Sequence, residues 1–213
     1  MAALSAHTPA LEYLAGRGLT LAEAETFRLG FTPEDSLFVP GPSIVIPVLD
    51  YYQRVISVSA NLLAGDPKYW HLRFPRQRWL WGLHLPPAPD KPPVVVEGQY
   101  DAIQLRRLGW PAYALLGSTL SPYHAEHLAY LAPRGQVLVY PDNDNRGLVP
   151  QAAEVLRGVG LTALAPPAPY LPWHAAKADP DDLARTEPEF LLAQLGAAQP
   201  IARPAVERRS SVR

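Results

Sequence analysis

The rhythm of apolar and polar positions changes near Pro93. Downstream, Val94-Val95-Val96 is a continuous apolar run, the pattern of a strand buried on both faces. Tyr100 to Leu108 then reads as a helix, and Tyr113-Ala114-Leu115-Leu116 as a second short strand. Ser121-Pro122 starts a helix that reaches about Leu131. Gln136 to Tyr140 is a third strand, Leu148 to Arg157 a helix, and Leu161 to Leu164 a fourth strand. Strands alternating with helices predict an α/β fold, a parallel sheet flanked by helices. Upstream the grammar is mixed. Thr8-Pro9 reads as a cap followed by a first-turn proline, opening a helix that ends by Gly18. Thr20-Leu21-Ala22-Glu23 fits a capping box and a short helix to about Arg28. Ser43 to Val48 and Arg54 to Ser59 are β-rich, and residues 64–67 form a turn. The expected organisation is a small α+β subdomain over residues 1–90, an α/β domain over 91–199, and a disordered tail over 200–213, where periodicity is lost.

At 213 residues, 48% hydrophobic and 18% charged, the chain can bury a proper core and is too apolar to be wholly disordered. No stretch reaches the ~18 apolar residues of a membrane span. The first Arg is Arg17, so the basic start of a secretory signal is missing. The absence of cysteine excludes disulfides, thiolate zinc sites, iron–sulfur clusters and Cys nucleophiles, and fits a cytoplasmic location. A net charge of −1 supplies no overall pull toward nucleic acid, so any such binding must come from a local patch. Proline is abundant, at 25 residues, and only Lys68, Lys91 and Lys177 among the 19 basic residues are lysine. That bias fits a thermophile or a GC-rich genome equally well.

Ligands of open parallel sheets collect at the carboxyl ends of strands. Glu97 follows the first strand of the α/β part, in Glu97-Gly98-Gln99-Tyr100-Asp101. Asp142 and Asp144 follow the third, and Asp179-Pro180-Asp181-Asp182 lies beyond the sheet. Carboxylates converging on one rim repel one another unless a cation intervenes, and hard oxygen donors suit Mg²⁺ or Mn²⁺. A single Asp-x-Asp is as readily a turn whose side chains bond the backbone; the combination with Glu97 at a neighbouring strand end makes the metal reading stronger. Between Lys68 and Trp81, Lys68, Arg73, Arg76 and Arg78 alternate with Tyr69, Trp70, Phe74, Trp79 and Trp81. Such a segment suits a single nucleic-acid strand, with cations on phosphates and rings under bases; equally, the rings are core and the arginines a solvated edge. His124 and His127 are one helical turn apart but lack a third ligand. Gly158-Val159-Gly160 follows a helix and precedes a strand, the wrong order for a dinucleotide fingerprint. No Walker A sequence is present, and Ser118 lacks a nucleophile-elbow context.

Val94 to Asp101 and Tyr140-Pro141-Asp142-Asn143-Asp144-Asn145-Arg146-Gly147, in that order, resemble the two motifs of the Toprim domain. Leu116-Gly117-Ser118 resembles the turn after its second strand, and Asp179-Pro180-Asp181-Asp182-Leu183 the acidic motif of DnaG-type primases. Upstream, Tyr13 to Leu19, Leu29-Gly30-Phe31, Ile46-Pro47-Val48, Arg54-Val55-Ile56, Asp66-Pro67-Lys68-Tyr69 and Leu80-Trp81-Gly82-Leu83 are similar to landmarks of the primase core. The resemblance runs over residues 10–195 in family order and is therefore to a DnaG-type primase catalytic core without the family's zinc-binding and helicase-binding domains. A basic residue common in the family stands here as Asn61.

The resemblance implies a nucleotidyltransferase that makes RNA primers on single-stranded DNA in replication, from nucleoside triphosphates, with Mg²⁺ or Mn²⁺ and no zinc. The source would be a host or a phage, plasmid or mobile element. It implies Glu97, Asp142 and Asp144 as catalytic and metal-binding, with Asp179 and Asp181 as further metal ligands. Gly98, Asp101 and Lys68 would bind the nucleotide. Arg54, Lys68, Arg73, Arg76, Arg78, Trp70 and Trp79 would contact nucleic acid. A replicative helicase or a separate template-recognition protein is the implied protein partner, and no membrane is involved. The rival functions are a Toprim nuclease and a non-catalytic single-stranded-DNA-binding protein of the same fold.

Overall fold

The computed structural model describes residues 4–34, 39–64 and 69–201. Lys68 and the 64–67 turn beyond Ala64 lie outside these residues, as do residues 202–213 of the expected tail. Two sheets organise the chain. The first is antiparallel, in the order β1 (Gly30–Thr32), β2 (Ser43–Leu49), β3 (Val55–Leu62), β4 (Tyr69–His71). Helices α1 (Thr8–Gly16) and α2 (Leu21–Thr26) precede it. The second sheet contains β5 (Val94–Val96), β6 (Ala112–Ala114), β7 (Gln136–Val139), β8 (Thr162–Ala165) and β9 (Gln199–Pro200), in the order β6-β5-β7-β8-β9. β5 to β8 are parallel and β9 joins antiparallel. Helices α3 (Gln99–Arg107), α4 (Pro122–Leu131) and α5 (Leu148–Gly158) make the crossovers; α6 (Pro180–Thr186) and α7 (Pro188–Gly196) follow β8.

The apolar runs of the parallel strands split between two cores because successive side chains point to opposite faces. Val94, Val96, Ala112, Ala114, Leu138, Tyr140 and Leu164 face one core, shared with α3, α6, α7 and the N-terminal elements. Val95, Tyr113, Val137, Val139 and Ala163 face the other, packed by α4 and α5. The N-terminal helices thus close over the same sheet face as α6. A backbone bridge adds to this join: Trp81 N–H donates to Ala114 O at 2.9 Å, and Ala114 N–H returns to Trp81 O at 3.1 Å.

The α/β expectation agrees with this architecture, with differences that have physical reasons. The tail does not begin at residue 200. Pro200 pairs with Leu164 in β9, and Ile201 N–H bonds Ala163 O at 3.0 Å. Helix α1 starts one residue earlier than its cap signal: His7 is the N-cap and makes no side-chain cap bond, leaving Thr8 and Pro9 in the first turn. β1 and β4 are three-residue strands, too short to register as periodicity, and α6 and α7 were masked by the acidic and proline-rich residues at their starts. Among the described residues no helix is long and apolar enough to cross a membrane.

The capping box at Thr20 forms as expected. Thr20 Oγ1 accepts from Glu23 N–H at 3.2 Å, and Glu23 Oε2 accepts from Thr20 N–H at 2.8 Å. Burial opposes the Glu23 charge, but the Thr20 and Arg107 bonds outweigh it and hold the carboxyl down to about 2. Replacing Thr20 with Ala removes the reciprocal bond and is expected to cost about 1 kcal/mol of stability. A urea titration checks it, and an unchanged midpoint would show that α2 is held by packing alone.

Candidate acidic site at the strand ends

Three turns meet at the carboxyl ends of β5, β6 and β7. After β5, Glu97 and Gly98 lead into α3, where Gly98 is the N-cap and donates its N–H to Asp101 Oδ2 at 3.0 Å. A Cβ on residue 98 would lie 2.6 Å from that oxygen, so a side chain there would push the Asp101 carboxylate off its present cap position. After β6, Leu116 adopts φ 59°, the left-handed region, with its N–H on Glu97 O at 3.1 Å. Its carbonyl accepts from Arg76 Nη1 at 3.2 Å. After β7, the 142–145 turn closes through Asn145 N–H on Asp142 O at 3.1 Å. The Asn145 side chain then ties all three turns: Nδ2 donates to Glu97 Oε1 at 2.8 Å and to Ser118 O at 3.0 Å.

Burial raises the pKa of Glu97 above the usual carboxylate range, against the bonds from Asn145 and the Asp142 N–H. Asp142 is pushed up to about 8 by burial first, then by the charges of Glu97, Asp179, Asp144 and Asp182. Its Oδ1 is buried without a hydrogen-bond partner. Asp144, two residues on, is exposed. Asp179 caps α6 by accepting from Asp182 N–H at 2.8 Å, and burial and its acidic neighbours push it up to about 6. The protein compensates these charges only in part, and their hard oxygens match a divalent cation such as Mg²⁺.

The 179–182 motif divides its labour. Asp179, Asp181 and Asp182 each place a carboxylate oxygen within 4.8 Å of the others. Asp181, however, is buried and committed to protein donors. Its Oδ2 accepts from Arg17 Nη1 at 2.6 Å and Arg185 Nη2 at 3.2 Å, and its Oδ1 from Gln104 Nε2 at 3.0 Å. Arg185 also reaches Asp182 Oδ1 at 2.6 Å. Asp101 is equally occupied: its Oδ1 takes the Asp181 N–H at 3.0 Å, so one carboxyl caps α3 and docks α6 against it. Burial raises Asp101 well above the ordinary Asp range.

A cleft of about 540 Å³ lies over this rim. Glu97, Asp142 and Asp179 line it together with Arg17, Tyr69, His71 and Arg76. Arg17 is the hub of the non-acidic lining. It stacks 4.0 Å over the Tyr100 ring, donates Nε–H to Tyr13 Oη at 2.8 Å and Nη2–H to Tyr69 Oη at 3.1 Å, in addition to its bond with Asp181. Arg17 and His71 carry no local signal: Arg17 meets Asp181 across 164 positions of sequence.

The described residues expected to contact nucleic acid are not gathered in the cleft. Arg76 lines the cleft, and Arg73 and Arg78 are exposed beside it in sequence. Trp70 packs against Val39, Val45 and Ala60, and Trp79 packs against both main cores. Arg54 sits outside the cleft lining, at the β2–β3 turn, with Nε on Asp50 Oδ2 at 2.7 Å. His124 and His127 are not surface residues awaiting a metal. His124 is buried, and their Nε2 atoms lie 3.2 and 3.0 Å from Arg76 O and Arg78 O.

No family model matches the chain. A DNA primase of Deinococcus radiodurans is 28% identical over 181 residues, covering 66% of this chain and 32% of that protein. The chain spans about a third or less of the length of the curated relatives it matches. Among solved structures, the zinc-binding and RNA polymerase domains of the Aquifex aeolicus primase superpose with a TM-score of 0.77 at 22% identity, covering 93% of this chain and 58% of that one. A DnaG primase catalytic domain bound to single-stranded DNA gives a TM-score of 0.73 at 24% identity, over 91% of this chain and 72% of that one. The chain has the fold of the DnaG primase catalytic core and is similar in sequence to DNA primases.

Proposed function

We propose that this chain is the catalytic core of a DnaG-type primase, joining ribonucleotides into primers on single-stranded DNA by metal-dependent nucleotidyl transfer in the cytoplasm. One observation carries the reading: Glu97, Asp142 and Asp179 converge in a cleft with raised pKa values and an unpartnered buried oxygen on Asp142. Carboxylates kept in that condition call for a cation and not for protein partners. The likeness to a DnaG catalytic domain bound to single-stranded DNA supports the choice of substrate.

Glu97, Asp142 and Asp144 would hold Mg²⁺ or Mn²⁺, with Asp179 beside them. A divalent ion there supplies charge neutralisation of the triphosphate and of the leaving pyrophosphate. The remaining work belongs to the chain. Asn145 fixes the Glu97 carboxylate by its 2.8 Å bond to Oε1, and burial makes that carboxylate more basic, so an oxygen not held by the ion is suited to accept the proton of an attacking 3′-hydroxyl. Arg76, exposed in the cleft lining beside the turn after β6, would meet the phosphates. Arg17 keeps that lining in register through Asp181.

The test is incubation with single-stranded DNA, four ribonucleoside triphosphates and Mg²⁺, resolved on a denaturing gel. New RNA that depends on template and on Mg²⁺ is expected, and Glu97→Gln should lower its yield about a hundredfold or more. Shortened DNA without new RNA would replace this reading with a nuclease. Bound but unaltered DNA would leave a binding protein.

A further inference from the structure

Helix α4 carries Tyr123, His127 and Tyr130 at positions i, i+4 and i+7, one face of the helix. The Tyr51-Tyr52 turn between β2 and β3 leans on that face. Tyr51 lies 5.6 Å from His127 and 5.7 Å from Tyr130, ring centroid to centroid, and its hydroxyl is 3.0 Å from His127 Nδ1. The rings are not covered: Tyr52 is 78% and Tyr130 80% exposed, and Tyr123 is 44%. With Tyr51, which contacts His127 and Tyr130, these make four of the nine exposed large hydrophobic residues in the described chain. Scattered apolar residues need no explanation, but a contiguous group does.

The face is continuous with the cleft. The Arg76–Arg78 turn is clamped to the first two turns of α4 by Ser121 Oγ on Gln77 O at 2.5 Å and by the two histidine contacts. That turn sends Arg76 into the cleft and Arg78 outward, 5.1 Å over the Tyr123 ring. At the far side, Arg54 lies 5.1 Å over Tyr52. Guanidinium groups beside exposed rings are the donor set of a single-strand track, phosphates on the cations and bases on the rings. Tyr123 and Tyr130 are separated by ~10 Å along the helix, the rise of about three stacked nucleotides.

We propose that the Tyr51–Tyr52 turn and the Tyr123–His127–Tyr130 face of α4 form a stacking track for about three nucleotides of single-stranded nucleic acid. The occupant is the strand leaving the cleft past Arg76 and Arg78. Its direction rests on the cleft being where a strand is copied; the stacking does not. A nucleic acid is favoured over a protein because the track begins at the cleft and has a guanidinium against the ring at each end.

The experiment uses the full chain, its Tyr52→Ala/Tyr130→Ala variant and the Tyr52→Phe/Tyr130→Phe variant. Binding of a labelled deoxythymidine strand of about twelve nucleotides is followed by fluorescence anisotropy, beside an abasic strand of the same length. The alanine variant should bind the thymidine strand about tenfold or more weakly, with an unchanged salt slope. It should bind the abasic strand like the unaltered chain, and the phenylalanine variant should keep full affinity. Unchanged binding by the alanine variant overturns the track, as does failure of the unaltered chain to bind either strand. Equal DNA binding combined with loss of self-association in sedimentation velocity would make the face a protein interface instead. If the base dependence holds but no RNA is made, the track stands and the proposed reaction falls; RNA synthesis with ring-independent binding gives the reverse.

Discussion

Asp142→Asn should lower primer synthesis about a thousandfold, the several kcal/mol of charge stabilisation that a bound divalent ion supplies. The same substitution should raise the melting temperature of the metal-free protein above pH 7. The sign follows from the raised carboxyl. Asp142 titrates near 3.8 when unfolded and about 8 when folded, and Asp179 moves from 3.8 to about 6. Between those values the folded chain binds more protons than the unfolded one, so stability falls as pH rises. The loss spans pH 4 to about 8 and is relieved by any cation bound among these carboxylates. Thermal melts of both proteins at pH 5 and pH 8, with and without Mg²⁺, test this. A flat pH dependence in the unaltered protein, or Mg²⁺ stabilisation that survives Asp142→Asn, would remove Asp142 from the metal site.

The second large effect separates the acids by job. Arg17→Ala leaves Asp181 buried with one of its two cations gone, and breaking a buried pair costs about 3 kcal/mol. Both partners are well shielded, with side-chain exposures of 13% and 3%. For a chain of this size that corresponds to a fall of about 6–12 °C in melting temperature. Asp181→Asn should show a comparable fall while keeping Mn²⁺ affinity in calorimetric titration, because both Asp181 oxygens already serve protein donors. Asp144→Asn should do the opposite, losing Mn²⁺ affinity with little change in stability, since Asp144 is exposed. If Asp181→Asn instead abolishes metal binding at unchanged stability, Asp181 is a ligand and the Arg17 bond is incidental.

The sequence announced the parts of the site that a rule of topology governs. Glu97 and Asp142 stand at strand ends, and the alternation of strands with helices from Val94 onward is enough to put both on one rim. Asp101 lies in the same motif as Glu97, yet its work is to cap Gly98 and dock Asp181, a partner 80 residues away. No spacing within the motif signals that. The aromatic segment before Trp81 was ambiguous for a physical reason: Trp70 and Trp79 are large enough to be core and flat enough to stack, and packing decides between these roles. Arg17 and His71 reach the cleft through long-range packing with no local signature: α1 closes over the α6 side of the sheet, and Arg17 at its end bonds Tyr69 of β4.

Parallel sheets leave two raw edges, each a template onto which a second chain can add. Among the described residues both edges of the five-stranded sheet are partly occupied. Trp81 exchanges two backbone bonds with Ala114 on the β6 side. On the β8 side, β9 occupies the outer position and ends in Pro200, a residue with no N–H to offer an incoming strand. Strand-on-strand addition through this sheet is thereby hindered at both edges. Pro200→Val should restore the missing donor and, in time, make that edge adhesive.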